Sequence, residues 1–191
     1  MEIWGWGRKN TADVNAKGQL KTYSESFSTD YDAAHDGDAY TMDIDGVTVG
    51  TDGHTLALME NFHSTMEMVV TTVRLTTNEN KDDQEIEVYI GGAFNYTANG
   101  TAVTPQNMTS GKVAGAPGGV SNSFYTTDGS ALATVTAGNL VGRMPMYTKG
   151  INYIYRKESG WHISPGNCFY LTAAKDSKFS GSISFYYKPG G

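Results

Sequence analysis

The chain contains one cysteine, Cys168, in 191 residues. A disulfide within the chain is therefore excluded, and so is a zinc site built from several cysteines. This cysteine usage predicts synthesis in a reducing cytoplasm.

Long apolar runs are also missing, because no window approaches the roughly eighteen uncharged apolar residues of a membrane span. Residues 1–7 lack the basic flank and apolar core of a signal peptide, so we expect neither standard export nor a membrane partner.

Charge is sparse and its balance is acidic. Charged residues make up 18% of the chain, and 14 basic against 20 acidic residues give a formal net charge of -6. No cluster of lysine and arginine is present that could follow a phosphate backbone. We therefore expect no nucleic-acid partner.

Sequence motifs of common catalytic and metal sites are missing as well. No Gly-x-Ser-x-Gly sequence is present, and Gly111-Lys112-Val113 fails the pattern of a phosphate-binding Walker loop. The acids between Asp30 and Asp52 do not have EF-hand spacing, and Asp-Gly pairs such as Asp45-Gly46 instead predict tight turns. The histidines are far apart in sequence, at His35, His54, His63 and His162.

Two pairs of residues could still carry chemistry. Cys168 could act as a nucleophile beside His162, although a free cysteine in a strand usually behaves as a small buried apolar residue. Glu85 and Glu87 share one face of an extended chain, about 7 Å apart, and could imitate a glycosidase acid pair. Solvated strand residues are the commoner explanation of such a pair. The sequence therefore predicts no enzymatic activity, no cofactor and no metal.

The clearest structural pattern lies between His54 and Ile90, which contains the longest apolar segment and the best two-residue alternation. Within it, Met66 to Leu75 predicts a strand in the middle of a sheet. Alternation places Val69, Val73 and Leu75 on one face of this strand and Met68, Val70 and Thr72 on the other. Flanking strands are predicted at Leu56 and Leu58 and at Ile86, Val88 and Ile90.

The remaining sequence predicts further short strands and no convincing helix. They are expected at Tyr40 to Ile44, Val47 to Val49, Phe124 to Thr126, Leu132 to Val135, Leu140 to Met144, Ile151 to Tyr155, Trp161 to Ile163, Phe169 to Ala173 and Ile183 to Tyr187. Residues 110–122 are rich in glycine and predict a long loop. About nine to eleven short strands favour an all-β antiparallel sandwich. Chain length and strand count favour a jelly roll, and an immunoglobulin-like sandwich is the alternative that the pattern leaves open. We place this domain at residues 30–191.

Residues 1–29 predict an extended N-terminal arm, because their apolar residues show no sustained periodicity. Such a segment cannot bury enough of itself to offset its ordering entropy, about 1–2 kcal/mol per residue. Trp4 and Trp6 stand between glycines and are candidate anchors in a partner pocket. They could equally fold back over their own domain.

Several segments together resemble a group of small virion proteins of tailed bacteriophages, the head decoration or cement proteins and related capsid accessories. The resemblance covers most of the chain and is one of layout. It is carried by Gly18-Gln19-Leu20-Lys21, Thr22 to Ser28, His35 to Tyr40, Leu56 to Asn61, Asn78 to Gln84, Gly100 to Asn107 and Pro165-Gly166. Gln106 and Thr109 depart from the pattern, which has an apolar residue and a second asparagine at these places.

The resemblance implies a jelly-roll-like, non-enzymatic structural subunit on the exterior of the virion capsid. It implies a homo-oligomer, a trimer, that binds the major capsid protein. The N-terminal arm would reach neighbouring subunits, with Trp4, Trp6, Leu20 and Tyr23 as candidate capsid or intersubunit contacts.

Two alternatives stay open at the level of sequence. The first is a receptor- or glycan-binding appendage of the virion, such as a tail or head fibre module, in which exposed aromatic rings stack on sugars. Candidate rings are Tyr89, Tyr96, Tyr125, Tyr147, Tyr153, Tyr155, Tyr170 and Tyr186. The second is a hydrolase of cell walls or polysaccharides, which would need converging acids or a histidine-centred site in a cleft.

Overall fold

A computed structural model describes residues 2–5, 8–11, 13–14, 20–21, 39–95, 100–109, 124–127, 134–136 and 138–189. All regular structure in these residues is extended, and none of them is helical. The predicted all-β class is therefore confirmed. Glycine, threonine and tyrosine suit this class, because they favour tight turns and pleated, half-buried surfaces.

The described residues form seventeen strands. Those before residue 91 are β1 (Glu2–Gly5), β2 (Arg8–Thr11), β3 (Asp13–Val14), β4 (Leu20–Lys21), β5 (Ala39–Val49), β6 (Thr55–Glu60), β7 (Met66–Thr77) and β8 (Glu85–Ile90). Those after it are β9 (Ala93–Asn95), β10 (Thr101–Ala102), β11 (Gln106–Asn107), β12 (Phe124–Thr126), β13 (Thr134–Thr136), β14 (Asn139–Pro145), β15 (Tyr153–Ile163), β16 (Cys168–Ala173) and β17 (Ser177–Pro189).

Eight of these strands build an antiparallel sandwich with the topology of a jelly roll. One sheet has the order β5-β17-β7-β15 and the other the order β6-β16-β8-β14. Numbered one to eight along the chain, the strands run 1-8-3-6 in the first sheet and 2-7-4-5 in the second. Apart from β8 and β14, which pair with each other, strands that follow each other among these eight, such as β5 and β6, lie in different sheets, as in a jelly roll. The predicted sandwich is confirmed.

The interior between the two sheets is filled by large apolar side chains. Trp161, Phe169, Phe179 and Phe185 are each at most 1% exposed. Trp161 and Phe169, which belong to different sheets, have ring centroids 5.6 Å apart. Burial of this many aromatic and aliphatic groups is the main stabilising contribution in a sandwich of this size.

The predicted faces of β7 are wrong beyond its first half. Met68 and Val70, which have even numbers, point into the interior. Val73 and Leu75 have odd numbers and would lie on the opposite face of a regular strand, but they point into the interior too. The reason is a bulge: Ser184 of β17 lies opposite Thr72 while the next residue, Phe185, lies opposite Val70. The extra residue, Thr71, shifts the two-residue alternation by one. A bulge depends on the partner strand, so the sequence of β7 alone does not show it.

Two predicted interruptions turn out to be bulges inside longer strands. Asp45-Gly46 does not end a strand, because β5 continues through it as an eleven-residue element. Gly46 has a φ of 59°, and the register between β5 and β17 shifts at this place. Likewise, the segments predicted around Tyr155 and Trp161 form one strand, β15, whose pairing with β7 is interrupted between Arg156 and Trp161.

The two long edges of the sandwich differ. At the β5 and β6 edge, β11 pairs with β5, β12 pairs with β6, and β10 pairs with β12. These short strands come from the connection between β8 and β14 and cover that edge. At the opposite edge, β14 and β15 are the last strands of their sheets among the described residues. Tyr155 of β15 packs against Gly142 of β14 there, so the two strands border one open edge.

In the predicted arm, the structure describes only short antiparallel ladders. In the first, β1 pairs with β2, and Trp4 lies opposite Lys9. In the second, β3 pairs with β4, and Leu20 lies opposite Val14. The predicted long loop at residues 110–122 lies outside the described residues. The proposed boundary at residue 29 lies outside them too.

Candidate functional site

The four predicted contact residues fall in the first 23 residues. Trp4 lies in β1 and Leu20 in β4. Trp6 and Tyr23 lie outside the described residues. The use of these four residues as capsid or intersubunit contacts stays a prediction.

The pair of Cys168 and His162 is not assembled by the fold. His162 lies on the outer face of the sheet that contains β15, where its Nδ1 is 2.9 Å from Glu67 Oε2 and its Nε2 is 2.8 Å from the Ser159 carbonyl oxygen. Cys168 lies in the other sheet and packs with Leu58 on that sheet's outer face. The sandwich interior therefore separates the thiol from the imidazole, and the two residues cannot act together.

The environment of Cys168 also disfavours a thiolate. The thiol is buried and points at the Gly92 carbonyl oxygen, 3.6 Å away. Burial, together with the nearby carboxyl of Glu60, raises the pKa of Cys168 to about 12. Since the thiolate is the nucleophile, such a group is inert near neutral pH. Glu60 itself is 8% exposed, and burial raises the pKa of its carboxyl above the ordinary value.

Glu85 and Glu87, the candidate acid pair, are bridged by an arginine of the neighbouring strand. Arg143 Nε is 3.0 Å from Glu85 Oε1, and a terminal nitrogen of the same guanidinium is 3.0 Å from Glu87 Oε1. The Tyr89 hydroxyl donates to Glu87 Oε2 at 2.6 Å. Both carboxylates are thus occupied by partners within the protein. Cross-strand ion pairs of this kind are ordinary features of an exposed sheet face.

The described residues contain neither a candidate metal site nor a candidate membrane-spanning helix. Within the described ranges, no group of three or more histidine, cysteine, aspartate or glutamate side chains is placed to hold a metal ion. Nor does any helix long and apolar enough to cross a bilayer occur in that part of the chain. His63 binds its own loop, because its Nδ1 accepts hydrogen bonds from the Thr65 and Met66 amides at 3.2 and 3.0 Å.

The surface feature that stands out is a concentration of exposed apolar side chains at the open edge. Six large hydrophobic residues are exposed among the described side chains, and four of these belong to β14, β15 and the loop that joins them. The four are Leu140 (42% exposed), Tyr147 (55%), Ile151 (48%) and Ile154 (55%). We call these residues the open-edge set. Leu140 lies opposite Tyr89 on the outer face of the second sheet, and Ile154 lies opposite Arg74 on the outer face of the first sheet, so the set spans both sides of this edge. Exposed apolar side chains along one edge are candidates for protein contacts.

The open edge is built so that strand addition is difficult. Residues 157–160 of β15 have no opposite residue in β7, so they bulge out of the ladder. Gly160, in the left-handed region at φ 71°, ends this bulge. On the β14 side the strand ends at Pro145, which has no amide hydrogen to donate. Bulges and prolines protect edge strands from pairing with other chains, so a partner would bind through side chains.

Sequence reasoning did not find the open-edge set. The strand predicted at Ile151 to Tyr155 begins only at Tyr153, so Ile151 precedes it and is 48% exposed. The available signal was Ile154, an apolar residue that alternation places on the outer face of its strand. The edge itself could not be identified, because it depends on the order of strands in the sheets.

The candidate sugar-stacking tyrosines do not form an exposed group in the described residues. Tyr125, Tyr170 and Tyr186 are each 7% exposed, and Tyr147 is the one tyrosine among the exposed large side chains. Tyr89 stacks on Tyr170 with ring centroids 4.8 Å apart and planes 4° from parallel. Tyr96 lies outside the described residues. The described rings therefore serve mainly packing.

In comparisons with known proteins, no family model, no curated protein and no solved structure matched the chain. A functional conclusion for this chain therefore depends on its own geometry and on the resemblance in layout. A jelly roll by itself does not indicate a function, because one fold hosts many functions. The open-edge set is the observation from which a function can be argued.

Proposed function

We propose that the protein is a non-enzymatic structural component of a tailed-phage virion that decorates and stabilises the capsid from outside. Its partners in this proposal are the major capsid protein and further copies of itself, arranged as a trimer. The proposal joins the resemblance in layout to the observation that four exposed apolar side chains belong to β14, β15 and their loop, at an edge where no further strand of the described residues pairs.

The open-edge set gives this proposal its physical basis. Removing Tyr147, Ile151 and Ile154 from water would contribute favourable free energy in proportion to the apolar area buried. One such contact is weak, but a capsid offers the same contact many times, and linked binding events gain from high effective concentration. In an oligomer with closed symmetry every subunit contributes the same patch, so a small contact is repeated once per subunit.

The character of the domain suits a mechanical role. The interior is filled by rings such as Trp161 and Phe169, and close-packed interiors resist compression. The two acids that resembled a catalytic pair are held by Arg143. A subunit that resists deformation and adheres through its edge would act as a clamp between shell subunits.

Head binding by purified variants tests the proposal. Tyr147→Ser and Ile154→Ser each shorten one exposed side chain of the open-edge set, and we expect each to lower occupancy on heads that lack the protein. Phe62→Ser is the matched control, because Phe62 is 46% exposed but lies outside the open edge. Unchanged occupancy of both edge variants, or equal loss in the control, would contradict the use of this edge.

The alternative function is a receptor- or glycan-binding appendage of the virion. The observation in its favour is Tyr147, an exposed ring beside Ile151 in the loop at one end of the sandwich. A glycan array with the full chain distinguishes the two functions. Binding to a defined glycan that is lost in Tyr147→Ser, with no head binding by the parent protein, would favour the appendage.

A further inference from the structure

A small depression on the outer face of the first sheet has the composition of an anion site. It has a volume of about 130 Å³. Its lining includes Thr71, Thr72, Arg74, Arg156, Ser184 and Tyr186. Two arginines and four hydroxyl-bearing residues therefore meet in one place, on a protein whose net charge is -6.

The depression exists because the sheet is interrupted on both sides of Thr71. On one side Thr71 is the bulged residue opposite β17, where Ser184 faces Thr72. On the other side the pairing of β7 with β15 stops after Arg156. The Thr71 hydroxyl donates to the Ser184 carbonyl oxygen at 3.4 Å. Adjacent bulges open the surface and turn side chains away from the regular ladder.

The strand register places the two arginines next to each other. Arg156 lies opposite Thr72, and Arg74 follows Thr72 by two residues on the same strand face. Diagonal neighbours of this kind have backbone positions about 7–8 Å apart, within reach of long side chains. Both guanidinium groups can therefore point at one ligand placed over Thr72.

These arginines differ from Arg143, the other arginine whose side chain is described. Arg143 binds Glu85 and Glu87, whereas neither Arg74 nor Arg156 forms an ion pair with any residue of the described ranges. Two unpaired cations side by side repel each other, and an anion between them would relieve that repulsion. Arginine also binds carboxylates with two parallel hydrogen bonds, which fixes their orientation.

We propose that Arg74 and Arg156 form a carboxylate-binding site, with Thr72 and Ser184 as neutral hydroxyl partners, and that its ligand is an acidic side chain of a partner protein. The partner class rests on the proposed function. A protein carboxylate fits better than an acidic sugar, because the tyrosine that lines the depression, Tyr186, is 7% exposed and offers little ring surface for stacking.

The site can be tested on the isolated full chain with sodium acetate as the probe. We expect amide chemical shifts of Thr72, Arg74 and Arg156 to change during an acetate titration at constant ionic strength. Arg74→Gln and Arg156→Gln should each weaken this response about tenfold, since each removes a charge-assisted pair. Arg143→Gln is the matched control and should leave the response unchanged.

Three outcomes would overturn the proposal. The first is the absence of localised shifts at high acetate concentration, and the second is an equal response in the control and the two site variants. The third is tighter binding of a sialylated trisaccharide than of an acidic peptide, which would indicate a glycan ligand. Because the acetate titration needs no capsid, it can fail while head binding by the parent protein succeeds, and the two proposals are thereby tested separately.

Discussion

The side-chain amide of Gln84 binds both backbone polar groups of Lys175. Gln84 Oε1 accepts a hydrogen bond from the Lys175 amide at 2.9 Å, and Gln84 Nε2 donates to the Lys175 carbonyl oxygen at 3.3 Å. Gln84 is fully buried, and its own carbonyl oxygen accepts from the Met146 amide at 2.8 Å. One residue thus joins three segments at the end of the sandwich: the start of β8, the β16–β17 loop and the end of β14.

Replacing Gln84 by methionine keeps the size of the side chain and removes both hydrogen bonds to Lys175. We expect the free energy of unfolding to fall by about 1–3 kcal/mol, because backbone groups lose their partners. Urea denaturation measures this change. Gln106→Met is the control, since Gln106 is exposed, and we expect a change within about 0.5 kcal/mol. An equal fall in the free energy of unfolding at the two positions would show that the Gln84 hydrogen bonds add no measurable stability.

Gly160 and Gly166 separate the effect of backbone strain from that of a steric clash. Both have left-handed φ angles, 71° and 76°, but a Cβ at Gly160 would collide with Val69 while one at Gly166 would meet nothing. Gly166→Ala should cost about 1–2 kcal/mol. Gly160→Ala should cost roughly 1–3 kcal/mol more, because the side chain must also be accommodated. Thermal denaturation compares them, and a Gly160 effect no larger than that of Gly166 would contradict the bulge geometry.

The single thiol of Cys168 should be unreactive in the folded protein. Because burial raises its pKa to about 12 from an ordinary 9.0, the thiolate fraction at pH 8 falls roughly a thousandfold. We expect slow labelling by a thiol reagent in buffer and fast labelling in denaturant, followed by absorbance. Labelling in buffer at the rate of the unfolded chain would show that Cys168 is not buried.

Glu60 should make stability depend on pH. Burial raises the pKa of this carboxyl in the folded state above 4.5, so the folded protein holds the proton more tightly than the unfolded chain. The associated stability is present below pH 4.5 and is lost as the pH rises through the raised pKa. Glu60→Gln should therefore gain stability relative to the parent as the pH is increased from 4 to 8.

Urea denaturation at a series of pH values measures the effect at Glu60. Glu158→Gln serves as the control, because it makes the same substitution at an exposed position in the β15 bulge. The prediction fails for Glu60 if the difference between Glu60→Gln and the parent protein stays constant across this range.

Local alternation was sufficient to predict the existence of most strands. In the strand predicted at Ile183 to Tyr187, the alternate residues Ile183, Phe185 and Tyr187 all point inward, with exposures of 0%, 1% and 4%. The same rule gave the flanking strands β6 and β8. The alternation rule works because, in a regular ladder, the sheet face on which a side chain lies depends only on the position of its residue in the strand.

Features that depend on the partner strand could not be predicted in this way. The inward direction of Val73 follows from the bulge at Thr71, which exists only in the register with β17. The placement of Arg74 beside Arg156 is likewise a property of the β7–β15 ladder, because the two residues are distant in sequence and only the strand register makes them neighbours. Candidate sites that form across strands therefore needed the structure.

The most direct test of the proposed role is the copy number of this protein in purified virions of the proposed phage. Quantitative mass spectrometry would compare its peptides with those of the major capsid protein. A decoration protein should be present in many copies, in fixed proportion to the shell subunit. Absence from virions, or the few copies expected of a tail fibre, would contradict the proposal.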